Sequence, residues 1–318
     1  MLGILESEEK MVRRKRKEIT TDSTFNQACD FYLDSHQYLK LNNRVQKMYE
    51  DYLKVARKTA VHTGKQLGNF KLSDMRYKHF ERAYETWQTE RGITSSNHIA
   101  SCTSVVLNMC IRNEAITTNY MGLVPKTTPK PRRVKWTPEQ IKQFLNVAYS
   151  KWDYRSVGLI VHMGYEWGQR IGDMRTLTWD SLDLDAQRLD LVQSKRGVDV
   201  HIPISDNLTI MLQQQKKDFG FQDYVAPRVH PRAGAYTPYD LQELSSYVNR
   251  VKEEAGLPAE LQARDMRRTA ITEMVEAGVD LAGIMQVSGH QSPASVTPYM
   301  VNTFSGAKTA LDKRWGNK

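Results

Sequence analysis

The sequence predicts a mainly α fold with a small antiparallel β-sheet (α+β), in two domains. Apolar residues recur at three- and four-residue spacing through residues 24–123 and again in much of the second half, the signature of amphipathic helices. Two short alternating runs flank a Lys-Arg-Gly turn within residues 188–205, which predicts a β-hairpin. Between the halves, "VPKTTPKPRRVKW" mixes prolines with cations, the composition of an extended, semi-rigid linker. At 318 residues the chain has room for about two domains.

Taken in order, residues 1–20 form a basic segment containing "RRKRK" at 13–17, which reads as a solvated or disordered tail. Residues 21–124 read as a helical bundle, with helical spacing in "FNQACDFYLDSHQYL", "RVQKMYEDYLKVARKTA" and "HIASCTSVVLNMCIRNEAI". The linker occupies 125–136. Thr137 followed by Pro138 and Glu139 is a helix start, an N-cap with proline at the first helical position, so a second domain opens there and extends to 305. It continues with helical "RSVGLIVHMGYEWGQR", the hairpin, and helical "DLQELSSYVNRVKEEAG", "RRTAITEMVEAG" and "DLAGIMQVSG". The tail, 306–318, belongs to a stripe of Val301, Phe304, Ala307, Ala310, Leu311 and Trp315 near helical spacing, suited to packing on its own domain.

Composition narrows the function classes. No apolar run approaches a membrane span and the N-terminus lacks a signal peptide's apolar stretch, so a soluble, cytoplasmic protein is expected. Three scattered cysteines suit neither a disulfide framework nor a C-x-x-C metal site. Acidic residues and the eight histidines show no clustered ligand pattern, which disfavours a metal-dependent nuclease. The formal charge of +9 supplies the sequence-independent part of nucleic-acid binding.

Four places in the second half carry chemistry. In "EWGQRIGDMRTLTW", Arg170 and Asp173 lie three apart, so the carboxylate can orient the guanidinium. Lys195 lies at the hairpin tip. In "ARDMRRTA", Arg264 and Arg267 lie three apart at a helix start, and "SGHQSPASVTPYM" brings Gly289, His290 and Tyr299.

The order Arg, Lys, Arg, Gly-His, Tyr in these surroundings resembles the catalytic domain of the tyrosine recombinases, the phage integrase family, over residues 137–305. The N-terminal bundle and basic linker resemble the family's core-binding domain. The resemblance implies a C-shaped clamp around duplex DNA and a site-specific recombinase, an enzyme that cleaves and rejoins DNA through a 3′-phosphotyrosyl intermediate without metal, cofactor or ATP. It implies Tyr299 as nucleophile, Arg170 and Arg267 as phosphate clamps, Lys195 as general acid, His290 as a hydrogen-bond donor to a non-bridging oxygen, and Asp173 as support. Breaking a phosphodiester this way calls for those parts: a nucleophile, cations around a phosphorane, and an acid for the leaving 5′-oxygen.

One departure stands out. The family most often has histidine where this chain has Arg264, and a guanidinium stays protonated at working pH and takes no proton from tyrosine. Arg264 is then expected to anchor phosphate while water or His290 accepts the proton.

Lys126, Lys130, Arg132, Arg133 and Lys135 are the linker cations expected to meet DNA. The expected partners are double-stranded attachment sites, a homo-tetramer on DNA formed from free monomers, in which the resemblance implies that the 306–318 tail docks onto a neighbouring subunit, and a directionality factor or host DNA-bending protein, with no membrane. The setting implied is the cytoplasm of a bacterial or phage-infected cell. The alternatives are a tyrosine transposase, a multimer resolvase, or a non-catalytic DNA-binding protein of the same fold.

Overall fold

The computed structural model describes residues 18–61, 64–195, 197–300 and 304–316. The basic run at 13–17 and Val301 lie outside them. The chain divides into two compact units, Met1–Pro131 and Arg132–Lys318.

The first unit is helical, with α1 (Phe25–Leu33), α2 (His36–Leu39), α3 (Asn43–Lys58), α4 (Tyr77–Arg112) and α5 (Tyr120–Leu123). Thr24 caps α1 in a reciprocal box with Gln27, Ser35 caps α2 and Asn42 caps α3, each side chain satisfying a free N–H of the first turn. Gly92, at φ 76°, breaks α4 into two helical stretches. Phe25, Leu53, Leu67, Phe80, Trp87 and Ile99 form the centre of the core, and the Trp87 indole donates to Thr59 Oγ1 at 2.7 Å. The three cysteines, Cys29, Cys102 and Cys110, are free and buried here, and burial pushes each thiol up to about 12.

Residues 59–75 depart from the uninterrupted helical reading. A two-stranded hairpin, β1 (Ala60–Val61) with β2 (Lys65–Gln66), is followed by single 3-10 turns at Leu67–Asn69 and Leu72–Asp74. Gly68 lets this segment pack on α3, since a Cβ there would lie 2.9 Å from the Arg57 carbonyl oxygen.

The second unit contains α6 (Pro138–Ser150), α7 (Trp152–Glu166), α8 (Ile171–Arg175), α9 (Asp206–Phe219), α10 (Leu241–Glu254), α11 (Met266–Glu276), α12 (Leu281–Ser288) and α13 (Phe304–Trp315). Thr137 accepts from Gln140 N with Pro138 at the first helical position, which fixes the start of α6. The sheet has a strand beyond the expected hairpin: β3 (Leu182–Asp183) pairs antiparallel with β4 (Arg188–Val192), which pairs antiparallel with β5 (Asp199–Pro203). Alternation turns Leu189, Leu191, Val200 and Ile202 into the core beside Phe144, Ile160, Leu208 and Met266. Trp136 belongs to the same core, its N–H donating to Thr269 Oγ1 and its indole to the Gln262 carbonyl.

The linker is more tied down than its composition suggests. Thr127 is held on α4 by Tyr84, Gln88 and Asn97. Arg132 makes a two-point pair with Asp265, and Lys135 pairs with Glu276 at 2.8 Å. Lys126, Lys130 and Arg133 are exposed and make no ion pair among the described residues. Of the five linker cations, Arg132 and Lys135 are therefore committed within the second unit.

α13 touches the end of α11 through polar contacts, Thr309 Oγ1 to the Glu276 carbonyl and Lys313 Nζ to the Gly278 carbonyl. Phe304, Leu311 and Trp315 stay exposed, Phe304 at 87%.

Candidate active site

The start of α8, the β4–β5 turn, the start of α11, the end of α12 and the single turn Thr297–Tyr299 place the candidate residues of the second unit. Arg170 is the residue before α8 and its Nη1 donates to Gln193 Oε1 at 2.8 Å. Arg267 lies in the first turn of α11, 7% exposed, with Nη1 donating to the Gly168 carbonyl at 3.1 Å and Nη2 3.3 Å from His290 Nε2. Burial, and then the neighbouring Arg170, pull the Arg267 guanidinium below its ordinary value, while Tyr299 acts in the opposite direction. Two guanidiniums close enough to repel make a site that favours an anion.

α12 ends at Gly289, whose φ of 69° lets the chain turn in the left-handed region and present His290 to Arg267. Ser288 Oγ donates to the Ile284 carbonyl at 2.6 Å and lies 2.7 Å from His290 Nδ1. With its one proton committed, that hydroxyl accepts from Nδ1–H, so the neutral imidazole carries its lone pair on Nε2. The His290 and Tyr299 rings lie 5.6 Å apart. Tyr299 is half-buried, and the guanidinium of Arg268 lies 5.0 Å from the centre of its ring.

Arg170, Arg267, His290 and Tyr299 thus converge. Lys195 and Arg264 do not join them through any hydrogen bond or ion pair among the described residues: both are exposed, Lys195 on the β4–β5 turn and Arg264 in the single turn Ala263–Asp265. Asp173 does something other than hold Arg170 closely. It lies 3.8 Å from Arg170 Nη1, whereas Ser194 Oγ donates to its Oδ1 at 2.5 Å.

The sequence reading did not single out Gln169, Gln193, Ser194, Arg268 or Ser288. Gln193 is fully buried, and its Nε2 donates to Gln169 Oε1 at 2.7 Å and to the Ser288 carbonyl at 2.9 Å. Gln169 in turn donates to the Trp167 and Val287 carbonyls. The available signal was the alternation of β4: with Leu189 and Leu191 inward, residue 193 also points inward, and a buried glutamine must find partners.

Residues 135–305 match the phage integrase family. Two curated relatives are both named tyrosine recombinase XerA. The protein from Thermococcus kodakarensis is 22% identical over 222 residues, 69% of this chain and 76% of that protein. The protein from Pyrococcus horikoshii is 25% identical over 193 residues, 60% of this chain and 63% of that one. Among solved structures, a lambda integrase dimer bound to a COC′ core site superimposes with a TM-score of 0.71 at 20% identity, covering 88% of this chain and 78% of that one. The Tn1549 transposon integrase in complex with circular intermediate DNA gives a TM-score of 0.71 at 15% identity, covering 91% and 99%. At such identities the superpositions show a common fold. The matched span takes in more than half of the sequence and contains all four converging side chains, and the chain belongs to the phage integrase family.

Proposed function

We propose that the chain is a site-specific DNA recombinase, an integrase that cleaves and rejoins DNA through a 3′-phosphotyrosyl intermediate. The convergence of Tyr299 with Arg267, Arg170 and His290 carries this reading. The Tyr299 oxygen attacks the scissile phosphorus, a new P–O bond forms, and the bond to the 5′-oxygen breaks. Arg170 and Arg267 present donors and charge to the non-bridging oxygens, where negative charge grows in the transition state. Lys195 supplies the proton that the leaving 5′-oxygen takes up. The phosphate ester is retained as an ester to tyrosine, so attack by another 5′-hydroxyl reverses the step and joins new strands.

His290 Nε2 is the proton acceptor for Tyr299, because Arg264 cannot fill that role and the Ser288 contact leaves the lone pair on Nε2. Once protonated, the same nitrogen donates to a phosphate oxygen. Arg264 serves as an additional phosphate anchor. The linker cations Lys126, Lys130 and Arg133 contact the DNA backbone, and the exposed apolar side chains of α13 dock onto a neighbouring subunit in a tetramer on two duplexes. The lambda integrase tetramer bound to a Holliday junction, whose TM-score with this chain is 0.72 at 19% identity, supports that assembly. The substrate is double-stranded attachment DNA of a phage or mobile element.

The test uses a supercoiled plasmid carrying the DNA that flanks the gene, incubated with protein in excess chelator. A protease-sensitive covalent complex with wild type and none with Tyr299→Phe is expected. Normal DNA binding with no covalent species from wild type would overturn the reading in favour of a non-catalytic binder.

A further inference from the structure

Gln193 closes the β4–β5 turn and is also tied to three other parts of the site. Its N–H donates to the Val198 carbonyl and its carbonyl accepts from Gly197 N, so its backbone closes the exposed turn that carries Lys195. Its side-chain oxygen holds Arg170, and its side-chain nitrogen holds Gln169 and the Ser288 carbonyl, two residues before His290. Both amide protons and the amide oxygen are used, which fixes which way the amide faces. Gly289 packs against it so closely that a Cβ there would lie 2.5 Å from Gln193 Nε2. The next residue, Ser194, is fixed separately on Asp173. Two successive residues therefore latch the turn to the Arg170–Asp173 segment, and Lys195 follows directly after them.

We propose that Gln193 is a positioning residue that sets Lys195 against the scissile phosphate, with Ser194 as the second point of the latch. The inference rests on the recombinase reading above and adds to it how the general acid is placed. An exposed lysine on a turn has wide rotational freedom, and proton transfer to a leaving oxygen requires hydrogen-bond distance. Anchoring the turn to the residue that grips the phosphate keeps the acid in register with the bond it protonates. The Ser288 contact extends that register to the His290 turn.

The experiment compares Gln193→Met, a substitution of similar length that lacks the amide, with wild type on two suicide substrates. One has the native phosphate and the other has sulfur in place of the bridging 5′-oxygen. In the second, tyrosine attack forms the same P–O bond, the P–S bond breaks, and the sulfur departs as a thiolate without needing a proton. Because the amide also holds Arg170, Gln193→Met is expected to slow both reactions, but to lose at least about tenfold more on the native substrate than on the sulfur substrate. Lys195→Ala should show the same preference for sulfur, and adding Gln193→Met to it should not widen the gap between the two substrates.

An equal loss on both substrates, or no loss on the native one, overturns the proposal. If Gln193→Met lacks the wild-type thermal transition, Ser194→Ala, on the exposed turn, carries the same comparison with the same expected rescue. Failure of wild type on both substrates sinks the recombinase reading and this inference with it, whereas failure of the variants' pattern alone sinks only the inference.

Discussion

Ser288 Oγ stands 2.7 Å from His290 Nδ1 and 2.6 Å from the Ile284 carbonyl oxygen, so this hydroxyl holds the proton on Nδ1 while Arg267 Nη2, which can only donate, faces Nε2 at 3.3 Å. Ser288→Ala removes the acceptor for Nδ1–H and weakens that tautomer. Covalent-complex formation should then fall about tenfold to a hundredfold with DNA affinity unchanged. A variant that cleaves at the wild-type rate would show that the tautomer does not matter.

Arg264 and Arg267 lie three residues apart, yet Arg267 is buried against Gly168 and His290 while Arg264 is exposed. Arg267→Ala should cost about a thousandfold in cleavage and Arg264→Ala about tenfold. Arg264→His tests the proton question directly, since histidine titrates between pH 5 and 8. A pH–rate profile identical to wild type would count against a proton-transfer role at this position.

Arg132 and Asp265 are joined at two points, at 2.8 and 2.7 Å, and Asp265 is 4% exposed. Arg132→Ala leaves a buried carboxylate short of its partner and should lower stability by about 2–3 kcal/mol in urea unfolding. The salt dependence of DNA binding should not change. Removing Lys130 or Arg133 should do the reverse, leaving stability alone and reducing the salt slope by about one.

Glu166 accepts from Ser205 N at 3.2 Å and lies 3.4 Å from His162. Burial favours its neutral form, but the contacts with His162 and Ser205 outweigh burial and hold the carboxyl below its ordinary value. A carboxylate whose folded value is depressed contributes stability that is present above its unfolded value and is lost as pH falls through the folded one. Glu166→Gln should therefore be less stable than wild type at pH 7, with the difference shrinking towards about pH 3. A deficit of the same size at both pH values would show that the cause is packing.

The helix starts and the hairpin were legible because each depends on local chemistry, whereas Arg170, Arg267, His290 and Tyr299 were singled out by the family resemblance. Thr137, Pro138 and Gln140 make their cap within four residues, and β4 and β5 declare themselves by alternation. The spacing of Arg170, Arg267, His290 and Tyr299 could be read along the chain, and they are the side chains that come together. The partners of Gln193 could not be read, because they are the two residues just before α8 and the end of α12, about 95 residues away for Ser288. β3 was missed because two residues are too short to show a period. The commitment of Arg132 to Asp265 was hidden for a related reason, since a cation in a proline-containing stretch looks free until its distant carboxylate is known.

All three thiols of the protein lie in the core of the first unit and the second unit has none. A maleimide or disulfide reagent can react only when that unit opens, so the native chain carries its own clock for one half of the molecule. Under conditions where reclosing is fast, the labelling rate reports the free energy of that opening. Repeating the measurement with DNA added would read how far DNA stabilises the helical unit, with no probe attached to the unit that contains Tyr299.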